Sequence, residues 1–190
     1  ADPAYGRAHA LLAWGHSQYV IYLWTKDAAA DRRAAARAVE DAIGLIANDP
    51  TALAAAGAAL SQCLGELDRA ETLIEAALAL DPNNAWAWQR HGWLGIFRND
   101  PDAAMARFRR ALALNPLDPL AFNLRFGMAM AHSIQGDDAE AVRMVREVLH
   151  THPAVTWPWR QLAYMLVGLG DMEGARDAVA RLRAACPGIS

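Results

Sequence analysis

The chain has 190 residues, 54% of them apolar, and a net charge of −3. That balance offers no basic field for nucleic acid and no polybasic stretch for a membrane surface. The most apolar run, 10–24, is interrupted by His16, Ser17 and Gln18, so it reads as a buried helix rather than a membrane span.

Ala supplies much of the apolar content and is the best helix former, so an all-α chain is predicted. Lys26 is the only lysine among 18 basic residues, which reads as the composition of a GC-rich bacterium and not as a site. Cys63 and Cys186 lie far apart without metal-ligand spacing and read as reduced, buried thiols of a cytoplasmic protein. The chain lacks an initiator Met and opens in mid-pattern, which reads as a piece of a longer protein.

In chain order, a long aromatic-rich helix is predicted over 5–24 and a second over 30–47, joined by a charged connection and closed by Asn48, Asp49 and Pro50. From there a register sets in. Pro82, Pro116, Pro153 and Pro187 are spaced by about 34 residues. Ala70, Ala104, Ala141 and Ala175 keep step with it, as do Ile74, Phe108, Val145 and Val179 four places on. A period of this length marks a helical-hairpin solenoid.

The repeats run 51–84, 85–118, 119–155 and 156–190, after a divergent helix pair over 1–50. Inner turns are predicted at Gly65, at Asn99–Asp100–Pro101, at Gly136 and at Gly170, with Asp100 as an N-cap and Pro101 in the first helical position. Gly92 and Ala104 are small where the helices of one hairpin cross, and Phe108 fills the hole between neighbouring hairpins. The extra residues of the third repeat fall in its first helix or in the lead-in around 117–122.

These residues carry a resemblance. Trp88, Gly92, Ala104, Phe108 and Pro116 follow the tetratricopeptide pattern, with His91 in place of its Leu and Gly95 in place of its Tyr. Over 51–187 the chain resembles that family. The resemblance implies one array: a right-handed α-solenoid (a superhelix) of about five antiparallel helix pairs whose first helices line a groove for a peptide or protein segment. More weakly, the whole chain resembles the C-terminal region of alphaproteobacterial regulators that carry an adenylate/guanylate cyclase or a winged-helix domain.

The family's groove positions imply a binding wall of Trp86, Gln89, Arg90, Trp93, Asn123, Met130, Trp157, Arg160 and Tyr164, with Gly127 beside it. Aromatic faces and guanidinium groups suit an apolar or acidic segment. In the first repeat the same positions hold Ala52, Ala55, Ala56, Ala59, Gln62 and Cys63, so the family's clamp for a chaperone tail is missing.

No nucleotide-binding, hydrolase or zincin motif occurs, and no catalytic, metal or cofactor residue is assigned. His91 reads as a buried, hydrogen-bonded packing residue, and His9, His16, His150 and His152 as core-edge or helix-end histidines. Asp100, Asp102, Asp137 and Asp138 read as caps, and Arg107, Arg109, Arg110, Arg143 and Arg146 as a solvated convex face.

The expected function is a non-catalytic, protein-binding scaffold that docks or regulates a partner or an attached signalling domain in the cytoplasm. The alternatives are a homodimer through an uncapped last helix pair showing Tyr164, Leu166, Leu169 and Leu182, or a small-ligand sensor closed by the aromatic first hairpin. No nucleic acid and no membrane partner is expected.

Overall fold

The computed structural model describes residues 5–186. Its helices are α1 (Gly6–Ile21), α2 (Ala28–Ile43), α3 (Pro50–Ala59), α4 (Leu67–Leu80), α5 (Ala85–Phe97), α6 (Pro101–Leu114), α7 (Ala121–Ile134), α8 (Asp138–Thr151), α9 (Pro158–Gly168) and α10 (Met172–Ala185). There is no strand among the described residues. Successive helices pair as five antiparallel hairpins, and each hairpin stacks on the one before it, giving an α-solenoid. Pro187, the last proline of the register, lies outside the described residues. No described helix is long and apolar enough to cross a membrane.

Local chemistry explains where helices begin and end. Asp49, Asn84, Asp100, Asp137 and Asp171 cap α3, α5, α6, α8 and α10, each side chain accepting from a backbone N–H in the first turn. Pro50, Pro101 and Pro158 occupy first helical positions, where a missing N–H costs nothing. Gly65, Gly136 and Gly170 turn three inner corners at positive φ; Asn99 turns the fourth at φ 58°. In the third repeat, the step from Pro116 to the start of α7 at Ala121 is longer than that from Pro82 to the start of α5 at Ala85.

Phe108 is fully buried on α6. A Cβ on Gly92, across the same hairpin, would lie 2.6 Å from its ring, and one on Gly127, in the next hairpin, 2.4 Å. Two glycines therefore make the slot that the ring fills. Gly127 accordingly faces α6 and not the groove. Val179 holds the matching place on α10 but is exposed, because nothing stacks on it among the described residues.

The α3 helix differs from the others. Ala52, Ala54, Ala55, Ala56, Ala58 and Ala59 are all buried, with α1, α2, α4 and α5 packed around them. It runs on into a single wider π turn over Leu60–Leu64, where Ser61 Oγ donates back to the carbonyls of Gly57 and Ala58.

Candidate functional site

The concave face is lined by α1, α3, α5, α7 and α9, and α1 brings the side chains that fill it. Trp14, Gln18 and Tyr22 recur every four residues and so share one face of α1. Trp14 meets Trp86 edge-on at 5.6 Å. Gln18 Nε2 donates to Gln62 Oε1 at 3.1 Å. Tyr22 stacks on Trp157 at 5.6 Å, with planes 17° apart.

Six of the nine candidate wall residues meet in this interior. Arg90 is only 6% exposed. It lies over the Trp86 ring at 5.6 Å, and its Nη2 donates to Gln89 Oε1 at 2.8 Å. Gln89 Nε2 and Trp93 Nε1 both donate to Asn123 Oδ1, at 3.1 and 2.8 Å. Phe126 links Trp93 to Trp157, with ring centroids 5.9 and 4.5 Å away.

Among the described residues no carboxylate forms an ion pair with the Arg90 guanidinium, although Asp118 is close enough to favour its charge, and its Nε has no hydrogen-bond partner. Burial lowers its pKa to about 10. The same burial raises the Tyr22 phenol, with Arg90 opposing the shift.

The remaining three candidates stand apart from this network. Met130 is half-buried against the core, Arg160 is exposed, and Tyr164 is 73% exposed on α9. The predicted wall is thus two surfaces: a polar-aromatic interior sealed by α1, and an open stretch along α9. The physical reason is the size of the first helix pair. Its α1 carries large aromatic residues on the face turned to the hollow, while α3 carries only alanines there. Ala55 and Ala59 are fully buried as a result.

An aromatic cleft of about 510 Å³ stays open at the edge of the sealed interior. Trp14, Gln18, Tyr19, Tyr22 and Trp24 form its first wall, and Leu120, Phe122, Val155 and Trp157 the second. The wider groove between α8 and the last hairpin, about 770 Å³, is lined by Leu149, Trp159 and Leu162 with Arg146 and Arg181 at its sides.

Of the four aspartates expected as caps, Asp100 and Asp137 cap helices, while Asp102 accepts from Gln135 and Asp138 from Ser133 within the first turns; Arg107, expected in solvent, is half-buried and donates to the His91 carbonyl. His16 Nδ1 lies 2.8 Å from Asp31, which also accepts from Thr25 Oγ1; the two bonds, Thr25's first, hold that carboxyl below its usual range. His152 packs on Phe122. Arg143 pairs with Glu140 and Glu147. Burial raises the Cys63 thiol pKa; Cys186 is half-buried, not buried, and neither forms a disulfide.

His91 departs from expectation. It is buried, as predicted, but neither ring nitrogen has a hydrogen-bond partner. Burial first, then the Arg107 guanidinium, lowers its pKa to about 4. Its neighbours Glu71 and Glu75 come from α4 and carry no local sequence signal that links them to it.

Residues 64–126 match the tetratricopeptide repeat family. No curated protein matches the sequence. Among solved structures, the fold is similar to PilW, a widely conserved type IV pilus biogenesis factor, at 21% identity over 94% of this chain and 79% of that one, with a TM-score of 0.71. It is similar to PilF of Pseudomonas aeruginosa at 17% identity over 97% of this chain and 78% of that one, TM-score 0.67. It is also similar to MamA of Desulfovibrio magneticus RS-1 at 20% identity over 93% of this chain and 94% of that one, TM-score 0.60. At such identities the likeness speaks for fold alone. With its 34-residue period, its paired helices and its small residues at the crossings, the chain stacks its hairpins in the fold of these solved structures, and its residues 64–126 match the tetratricopeptide repeat.

Proposed function

We propose that the protein is a non-catalytic scaffold of the bacterial cytoplasm, holding a segment of a partner protein or of an attached signalling domain. The observation that carries this reading is the aromatic cleft beside the stacked Tyr22 and Trp157 rings, between Tyr19 and Trp24 on one wall and Leu120, Phe122 and Val155 on the other, with Arg160 exposed one turn beyond Trp157 on α9. Such a cleft accepts a large apolar side chain, and the guanidinium accepts a carboxylate beside it. The segment binds by shape and a few buried anchors, and no bond is made or broken.

The test is crosslinking from photoreactive residues at Tyr19 and Tyr164, followed by pull-down with Trp24→Ala and Arg160→Glu proteins. All these positions are exposed, so the fold survives the changes. The reading expects one partner to crosslink and to be lost from both variants. Equal capture by wild type and variants would reject it. A small apolar ligand is the competing occupant of the cleft; a melting shift with small molecules and no protein crosslink would favour it.

A second reading is self-association through the last hairpin. Its outer face shows Tyr164, Val167, Leu169, Met172 and Val179 to solvent. Leu166 and Leu182, expected on that face, are instead buried between α9 and α10. Sedimentation velocity decides: a single monomeric boundary at high micromolar concentration removes this reading.

A further inference from the structure

Glu71 and Glu75 lie one turn apart on α4 and therefore share a face. That face looks toward α5, which belongs to the next hairpin. There His91 is 7% exposed, and both its ring nitrogens lack a hydrogen-bond partner. One carboxylate oxygen from each glutamate and one imidazole nitrogen lie within 4.8 Å of one another. Buried polar groups nearly always find partners. Here a buried imidazole faces two carboxylates and bonds to neither. A cation between them would resolve that arrangement.

We propose that Glu71, Glu75 and His91 bind a divalent first-row transition metal, with zinc the best fit. The chemistry of the donors selects the class. Imidazole suits zinc and its neighbours, while magnesium and calcium want oxygen donors only. Three protein ligands around zinc, with bonds of about 2.0–2.2 Å, bring their donor atoms to about 3.3 Å apart. The present spread closes by rotation of Glu75, which is exposed and free to turn. A fourth position stays open to water on that exposed side.

The surrounding charges permit the site. Arg98 Nη2 lies 2.9 Å from Glu71 and 2.6 Å from Asp68, so it keeps Asp68 when Glu71 turns to the metal. Arg107 donates to the His91 carbonyl at 3.3 Å, and two carboxylates offset its charge. Because α4 and α5 belong to consecutive hairpins, the metal would pin the angle between them and stiffen the solenoid there.

The experiment uses the full chain, freed of metal with a chelator and titrated with zinc and with cobalt. We expect one equivalent to bind with a micromolar or tighter dissociation constant. At a hundred times that concentration the melting temperature should rise by roughly 5–10 °C. Glu75→Gln should weaken binding by about tenfold or more, and Glu71→Gln with Glu75→Gln should abolish it while far-ultraviolet dichroism stays helical. His150→Ala with His152→Ala should leave it unchanged. Zinc binding weaker than millimolar, or unchanged affinity in the double glutamine protein, would overturn the proposal.

Discussion

Tyr22 at the end of α1 stacks on Trp157 at the entrance to α9, so the first hairpin touches the last across the hollow of the solenoid. A repeat array is held together by nearest neighbours alone. This one adds a non-neighbour clasp. Tyr22→Ala should cost roughly 2–3 kcal/mol, somewhat less than a fully buried ring. A double-mutant cycle between Tyr22→Ala and Trp157→Leu in urea should return a coupling of about 0.5–1.5 kcal/mol. Zero coupling would mean that the two rings meet without holding the ends together.

Phe108 and its two glycines make the sharpest packing test. Phe108→Ala should destabilise by about 3–5 kcal/mol. Gly127→Ala forces a methyl onto the ring edge and should cost roughly 1–3 kcal/mol or more. Combined with Phe108→Leu, it should cost less than the sum of the two changes, because a smaller side chain leaves room for the methyl. Denaturant unfolding of the four proteins gives the answer.

Arg90 is a buried cation held by an amide and an indole face, with no ion-pair partner among the described residues and Asp118 acting on it only from a distance. A buried charge without a paired anion costs desolvation, and removing it for an apolar side chain of similar length relieves that cost while freeing only the Gln89 Oε1 acceptor. Arg90→Met should therefore hold or raise stability, by up to about 2 kcal/mol. Asn123→Ala, by contrast, strands the donors of Gln89 and Trp93 and should cost about 1–3 kcal/mol. A large loss in Arg90→Met would show that the guanidinium is matched more fully than its contacts indicate.

Acid should weaken the junction of the first two hairpins through Asp49. The Arg7 guanidinium, 2.5 Å away, and then the N–H of Ala52 hold its carboxyl below the usual value of 3.8, against the opposing effect of burial. The folded pKa is thus lower than the unfolded one. The stabilisation is complete above the unfolded pKa and is lost as pH falls through the folded one. Asp49→Asn keeps a good N-cap but removes the charge. Its stability should fall less steeply below pH 4 than that of the wild type, as measured by urea unfolding across pH.

Most of the fold was legible because its signals are local. Prolines follow the ends of α4, α6 and α8, aspartates cap α3, α6, α8 and α10, and Gly65, Gly136 and Gly170 occupy corners that other residues resist. The fate of the groove was not legible. Which side chains reach across the hollow depends on the curvature summed over five hairpins, and no local pattern states that sum. One signal was present: Trp14, Gln18 and Tyr22 form a stripe of large residues at helical spacing, facing a helix of alanines. For His91, the signal was a polar residue in a slot that the repeat reserves for leucine. Its glutamate neighbours are brought to it only by the stacking of one hairpin on the next.

The alanine-walled α3 sets a rule for how this protein can change. Four helices rest directly on its backbone, so one added methylene there would push them all apart at once. It works as the axle of the molecule. New specificity can be grafted onto α9 and α10, whose outer face no described residue covers, but the second hairpin must stay small for the rest to turn about it.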